Sequence, residues 1–172
     1  MGSLLLVSLA VIGTATAIVS RTNQAWADVI EGTEGPDFIV GTLGDDLIDS
    51  KGGNDENYGD TVFGEGSGND VINSGDGGNA NLGDSLEGAG SGNDVIISGE
   101  GDDLNHGDTQ FGAGSGNDII ISGEGDDENS GDSLEGAGSG GADIFACGGG
   151  EDTITDYNEA EGDIATPDCE NI

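Results

Sequence analysis

Basic residues are nearly missing from this chain: two Lys or Arg stand against thirty-six Asp or Glu, for a formal net charge of −34. A surface so poor in cations cannot neutralise a phosphate backbone, which excludes nucleic-acid binding. Nor does it carry the polybasic patch that holds a protein on an anionic membrane. The single histidine, His106, excludes a zinc hydrolase built on several histidines. Aromatics make up only 4% of the residues and there are two prolines. Thirty-six glycines among 172 residues are about three times the usual share of roughly 7%, which an ordinary helical globule does not tolerate. No G-x-S-x-G elbow, H-E-x-x-H helix or EF-hand loop spacing occurs. Two descriptions survive: a disordered acidic chain, or a chain whose carboxylates are matched by bound cations.

What apolar sequence there is begins with an address. Residues Leu4 to Val19 form a run interrupted only by small residues, and Ala25-Trp26-Ala27 supplies an A-x-A cleavage site before Asp28. Residues 1–27 therefore read as a secretory signal peptide, although Arg21 follows the run and no basic residue precedes it. The run is short for a membrane span of about 20 residues, so the mature form is expected to have no stable membrane span, and an uncleaved anchor is the alternative. Export also suits the two cysteines, Cys147 and Cys169. An oxidising compartment joins them in one local disulfide; a reducing one leaves two free thiols.

The remainder is one repeat. Residues 37–156 divide into five units of 24 residues, each ending in Asp. The cleanest begin at Thr61, Ser85 and Thr109 and read TVFGEGSGNDVINSGDGGNANLGD, SLEGAGSGNDVIISGEGDDLNHGD and TQFGAGSGNDIIISGEGDDENSGD. A fixed period of this size belongs to a solenoid, in which each turn buries its face only against its neighbours. Each unit splits into nine, nine and six residues. The nine-residue piece carries small residues or Gly early, Asp at position six and an aliphatic at position eight, as in residues 113–121, AGSGNDIII, and again at 32–40, 41–49, 65–73 and 89–97.

These nonapeptides resemble the Gly-Gly-x-Gly-x-Asp-x-aliphatic-x motif of the repeats-in-toxin (RTX) calcium-binding family. The resemblance covers most of the chain beyond residue 27. It implies an all-β fold, a parallel β-roll or β-helix solenoid of about five 24-residue coils over residues 28–156, closed by a C-terminal cap at 157–172. It also implies several bound Ca2+ ions. Glycine turns aim carbonyls inward, and Ca2+ takes six to eight oxygen ligands, which two stacked turns supply together. The metal ligands so implied are Asp46, Asp70, Asp94, Asp118 and Asp143 in the first nonapeptides. Asp55, Asp103, Asp127 and Asp152 follow in the second, with Asp37 from an upstream partial repeat. Asn79 interrupts the second series and should make a weaker or empty site, and Lys51 replaces the glycine that the turn before Asp55 calls for.

Two departures from the plain motif remain. Asn57, Asn81, Asn105 and Asn129 stand at position eight of the second nonapeptide, where an aliphatic belongs. An internal ladder of stacked amides is the favoured reading over a recognition stripe, because a buried amide needs such partners. The six-residue insert is either a loop or a third side, and its Asp60, Asp84, Asp108 and Asp132 form another column, either solvated or extending the metal sites. His106 falls one residue past the core-facing position and is expected to point into solvent. A G-x-G-x-x-G match at 136–141 lies in a glycine-rich repeat without a βαβ unit, which sets nucleotide binding aside. The expected function is a secreted, non-catalytic calcium-binding repeat protein that folds on binding its ions. The alternative is a cell-surface or extracellular-matrix structural or adhesive protein, with a cell-surface or self-association partner, in which Ca2+ only rigidifies the scaffold.

Overall fold

The computed structural model describes residues 16–19, 27–133 and 140–172, and every regular element among them is a β-strand. The signal-peptide expectation falls outside the described residues apart from Thr16–Val19 and Ala27, as do Glu135 and most of the 136–141 glycine stretch. One seven-stranded parallel sheet stacks β1 (Thr16–Val19), β3 (Asp37–Val40), β5 (Glu56–Tyr58), β7 (Ala80–Leu82), β10 (Leu104–His106), β13 (Glu128–Ser130) and β15 (Thr153–Ile154). A second stacks β2 (Val29–Glu31), β4 (Leu47–Asp49), β6 (Val71–Asn73), β9 (Val95–Ile97), β12 (Ile119–Glu124), β14 (Ile144–Gly149) and β16 (Ile164–Ala165). The chain alternates between them, so each coil contributes one strand to each sheet. This is the expected parallel β-solenoid.

The register shows where the period holds. Leu47 pairs with Val71, Val71 with Val95 and Val95 with Ile119, each 24 residues apart. The first coil is shorter: Val29 pairs with Leu47 and Phe38 with Glu56, a step of 18. It consists of two nonapeptides and no insert, so the 24-residue unit begins only after it.

The insert itself makes a third side. β8 (Glu87–Ala89) and β11 (Phe111–Ala113) pair in parallel, and Phe63 bridges to Glu87 in the same column. The choice between loop and third side is thereby settled by hydrogen bonding.

In a three-residue strand the middle side chain points inward and its neighbours outward. In the second sheet that places Ile30, Ile48, Ile72, Ile96, Ile120 and Phe145 in one buried column. Each such burial is worth about 1.5–3 kcal/mol. The first sheet presents Asn57, Asn81, Asn105 and Asn129 to the same interior, all fully buried. Each Nδ2 donates to the next Oδ1, at 2.9 Å from Asn57 to Asn81, 2.9 Å from Asn81 to Asn105 and 3.0 Å from Asn105 to Asn129. The internal amide ladder is therefore present. A serine column beside it, which the turn-rich sequence did not single out, completes the network. Ser50 and Ser74 accept from Asn57 and Asn81, and Ser98 and Ser122 donate to Asn105 and Asn129.

A satellite core of Val40, Tyr58 and Leu82, joined by Phe38, Val62 and Leu86, fills the space between the asparagine sheet and the insert. This overturns the expectation for His106. It continues the Tyr58–Leu82 column, and the third side covers that outward face, so the imidazole is fully buried. Cys147 takes the serine position in the last coil and is bonded to Cys169, tying the closing segment to the stem.

Candidate metal centres

Two edges join the sheets. The narrow edge runs directly from the isoleucine strand to the asparagine strand, as in residues 98–103; the wide edge returns through the insert, as in 107–118. Each edge carries one ladder of position-six side chains, and both are built by the same contact. The backbone N–H of one ladder residue donates to Oδ1 of its equivalent in the next coil.

On the wide edge Asp46 N donates to Asp70 at 2.6 Å, Asp70 N to Asp94 at 2.7 Å, Asp94 N to Asp118 at 2.7 Å and Asp118 N to Asp143 at 2.8 Å. On the narrow edge Asp37 N donates to Asp55 at 2.8 Å, Asp55 N to Asn79 at 3.0 Å, Asn79 N to Asp103 at 2.7 Å, Asp103 N to Asp127 at 2.8 Å and Asp127 N to Asp152 at 3.0 Å. All ten aspartates that the motif singles out thus stand in two continuous columns, and all are buried. The cap extends both: Asp143 N donates to Asp163 Oδ1 and Asp152 N to Glu170 Oε2. Neither closing carboxylate was visible in the sequence, because the period is lost after Asp156.

One carboxylate oxygen is consumed by this ladder, and the other is where the columns become chemically unusual. Oδ2 of Asp55, Asp70, Asp94, Asp103, Asp118, Asp127 and Asp152 is buried with no hydrogen-bond partner. A buried carboxylate oxygen without a donor is costly, and a hard cation is the ligand that relieves it. Asp37 and Asp46 differ. Asp37 Oδ2 accepts from Thr33 N at 2.5 Å, which leaves its Oδ1 as the unpartnered oxygen. Asp46 Oδ2 accepts from Thr42 N at 2.5 Å and Thr42 Oγ1 at 2.9 Å; threonine occupies the second motif position in both nonapeptides. Asp143 has no such orphaned oxygen among the described contacts. No three His, Cys, Asp or Glu side chains converge on one metal position among the described residues, so any site must add backbone carbonyls to one or two carboxylates.

Asn79 marks which carbonyls. Its Oδ1 takes the ladder bond, and its Nδ2, standing where the aspartates have the orphaned oxygen, donates to Gly75 O at 3.1 Å and Gly77 O at 2.9 Å. A neutral N–H donor can satisfy two turn carbonyls; a carboxylate oxygen in the same register meets them as like with like. Lys51 enters the equivalent turn one coil earlier with φ +77°, the only non-glycine positive φ among the described residues. The turn survives the missing glycine, and Asp55 keeps its place in the ladder.

Close approach is enforced on the wide edge by the glycine before each insert aspartate. A Cβ on Gly59 would collide with Gly83 O and Asp70 Oδ2, and one on Gly83 with Gly107 O and Asp94 Oδ2. Crowding raises the carboxyl pKa values. Burial, reinforced by neighbouring carboxylates, pushes Asp70 up to about 9, Asp94 to about 11, Asp118 to about 8 and Asp143 to about 7. On the narrow edge burial takes Asp103 only to about 7 and Asp127 to about 6. The insert aspartates Asp60, Asp84 and Asp108 are fully buried as well, which removes the solvated reading at those three positions, while Asp132, the fourth of the column, is half-buried.

The model of the RTX calcium-binding nonapeptide repeat (4 copies) matches residues 27–56, 89–110 and 113–133. The chain is an RTX-type repeat protein. The matched residues include seven of the ten motif aspartates, and the gap between them contains the Asn79 coil. No curated protein and no solved structure matches the chain. RTX repeats in a β-solenoid make this a Ca2+-binding repeat protein. His106, the chain's single histidine, is buried with both ring nitrogens unpartnered, and burial lowers its pKa to about 4.

Proposed function

We propose that this RTX-type chain is a secreted, non-catalytic protein that folds on binding Ca2+ between its stacked turns. The observation that carries the reading is the orphaned Oδ2 on each of seven ladder aspartates, set in register with the carbonyls that the Asn79 amide satisfies one coil away. Bound Ca2+ supplies positive charge and six to eight oxygen-coordination positions. The chain supplies Asp55, Asp103, Asp127 and Asp152 on the narrow edge and Asp70, Asp94 and Asp118 on the wide edge. Asp37, held by Thr33, Asp46, held by Thr42, and Asp143, near the cap, are weaker ligands, and the Asn79 position holds no ion.

Without the ions, carboxylates stacked coil on coil repel one another and keep the chain expanded. With them, binding energy becomes folding energy. Export supports the same switch: residues 1–27 serve as a leader, the repeat domain spans 28–156 and the cap 157–172. The chain would then stay expanded where Ca2+ is scarce and fold outside the cell. Cleavage at Ala27 would also remove β1 from its place beside β3. Circular dichroism of the chain without its leader, in chelator and in millimolar Ca2+, tests the reading. A large gain of strand signal is expected with Ca2+, and equal spectra would exclude metal-coupled folding.

A second reading, a structural or adhesive surface protein, is favoured by one feature. The outer face of the isoleucine sheet carries a column of exposed aliphatics, with Val29 71%, Leu47 44%, Ile144 41% and Ile164 59% exposed. Sedimentation at saturating Ca2+ decides between them, since a monomer would count against self-assembly.

A further inference from the structure

The RTX motif accounts for one carboxylate column on each edge, yet the wide edge contains two. Asp60 and Asp84, contributed by the insert and lying outside the nonapeptides, are completely buried, and Oδ1 of each has no hydrogen-bond partner. Their second oxygens are only weakly engaged, by Gly68 N at 3.2 Å and Gly92 N at 3.4 Å. The same two glycines lie against the motif column. A Cβ on Gly68 would stand 2.8 Å from Asp70 Oδ1 and one on Gly92 would stand 2.8 Å from Asp94 Oδ1. One glycine residue thus separates an insert aspartate from a motif aspartate in each coil. Asp60 adds to the repulsion on Asp70, and Asp84 to that on Asp94.

We infer that Asp60 and Asp84 are themselves ligands of a hard divalent cation, forming with Asp70 and Asp94 a second file of Ca2+ sites along the wide edge that the nonapeptides alone do not provide. The inference rests on the calcium-binding reading above and extends it to residues outside the RTX motif. The geometry favours a cation over a dry carboxyl column for a definite reason. Four carboxyl groups in two adjacent coils are removed from water, and Lys51, the one lysine or arginine side chain among the described residues, pairs with Glu31 at 3.7 Å on another part of the stem. Among the described residues no lysine or arginine therefore supplies a cation to this edge. Oxygen-rich, charge-dense and water-excluded surroundings select Ca2+ over softer metals. The rival is a column in which Asp60 and Asp84 share a proton and bind nothing.

The test is a calorimetric Ca2+ titration of the full chain against an Asp60→Asn/Asp84→Asn double variant. Paired amides already stack in this fold in the Asn57–Asn129 ladder, so the variant should keep its strands, which circular dichroism at saturating Ca2+ checks. The ligand assignment predicts that the variant binds fewer ions, about one lost per carboxylate neutralised, with the remaining sites titrating as before. An unchanged stoichiometry and midpoint would overturn it, while leaving the motif sites intact. No binding by the unmodified chain would instead sink the calcium reading and this inference together. Should the variant fail to form strands, the unmodified chain still decides. Crystals grown with Tb3+ should show anomalous peaks beside Asp60 and Asp84, and peaks confined to the motif columns would rule the second file out.

Discussion

The two edges of the stem begin from the same nonapeptide and end as different electrostatic environments. On the narrow edge a six-residue turn is all that covers each buried carboxylate, and burial raises Asp103 and Asp127 only to about 7 and 6. On the wide edge the insert folds a third side across the ladder and adds its own aspartates, and Asp70 and Asp94 rise to about 9 and 11. An aspartate at the same motif position becomes much harder to ionise because of what covers it. Charge is therefore harder to place on the wide-edge ladder than on the narrow-edge one.

The largest effect expected from this difference is on the metal-free chain as pH changes. The native carboxyl pKa values lie above the unfolded value of 3.8, so between them the native state holds more protons than the unfolded state, and stability falls as pH rises. In chelator the strand signal should be present near pH 4 and lost progressively between about pH 5 and 8, by circular dichroism. Saturating Ca2+ should reverse the trend, because it binds the ionised form. A metal-free chain that gained structure on going from acid to neutral pH would contradict the assigned burial.

Next in size is a paired substitution. Asp94→Ala with Asp118→Ala should raise the Ca2+ midpoint of folding about tenfold or more, equivalent to at least roughly 1.4 kcal/mol. Asp103→Ala with Asp127→Ala should raise it by less. Equal shifts in the two titrations would erase the distinction between the edges.

Asn79→Asp sharpens the comparison from the opposite direction. It removes the donor to Gly75 O and Gly77 O and should add about one Ca2+ to the calorimetric count while weakening the metal-free fold. The smallest effect is reserved for Lys51→Gly. Relief of the left-handed backbone, offset by the freedom glycine has in the unfolded chain, should stabilise the stem by about 1 kcal/mol or less in thermal unfolding at fixed Ca2+.

Much of this was legible in the sequence because a solenoid writes its contacts as spacing. A column of Ile48, Ile72, Ile96 and Ile120 and a column of Asn57, Asn81, Asn105 and Asn129 follow from period alone, and the structure stacks both. The Cys147–Cys169 bond was accessible because only two cysteines exist. What was hidden depends on layers rather than periods. His106 was read as outward from its place in the strand, which is correct for a two-sided roll, but the third side makes that outward face a second interior. The serine column was hidden because Ser50 and its equivalents look like turn formers, and their role appears only when the facing amides are in place. Asp163 and Glu170 close the ladders from a segment with no repeat to announce them.

The strict stacking of the middle coils also makes length a discrete quantity. Excising residues 85–108 would join Asp84 to Thr109 and set Ile72 opposite Ile120, Asn81 opposite Asn129 and Asp70 opposite Asp118, so each column would close over the gap with its own kind. Excising nine residues would instead bring an isoleucine strand into the asparagine sheet at the cut and put the carboxylates beyond it out of register with those before it. The stem can be shortened or extended only in whole coils, like a stack of cassettes, and the disulfide at Cys147 marks the end at which the count stops.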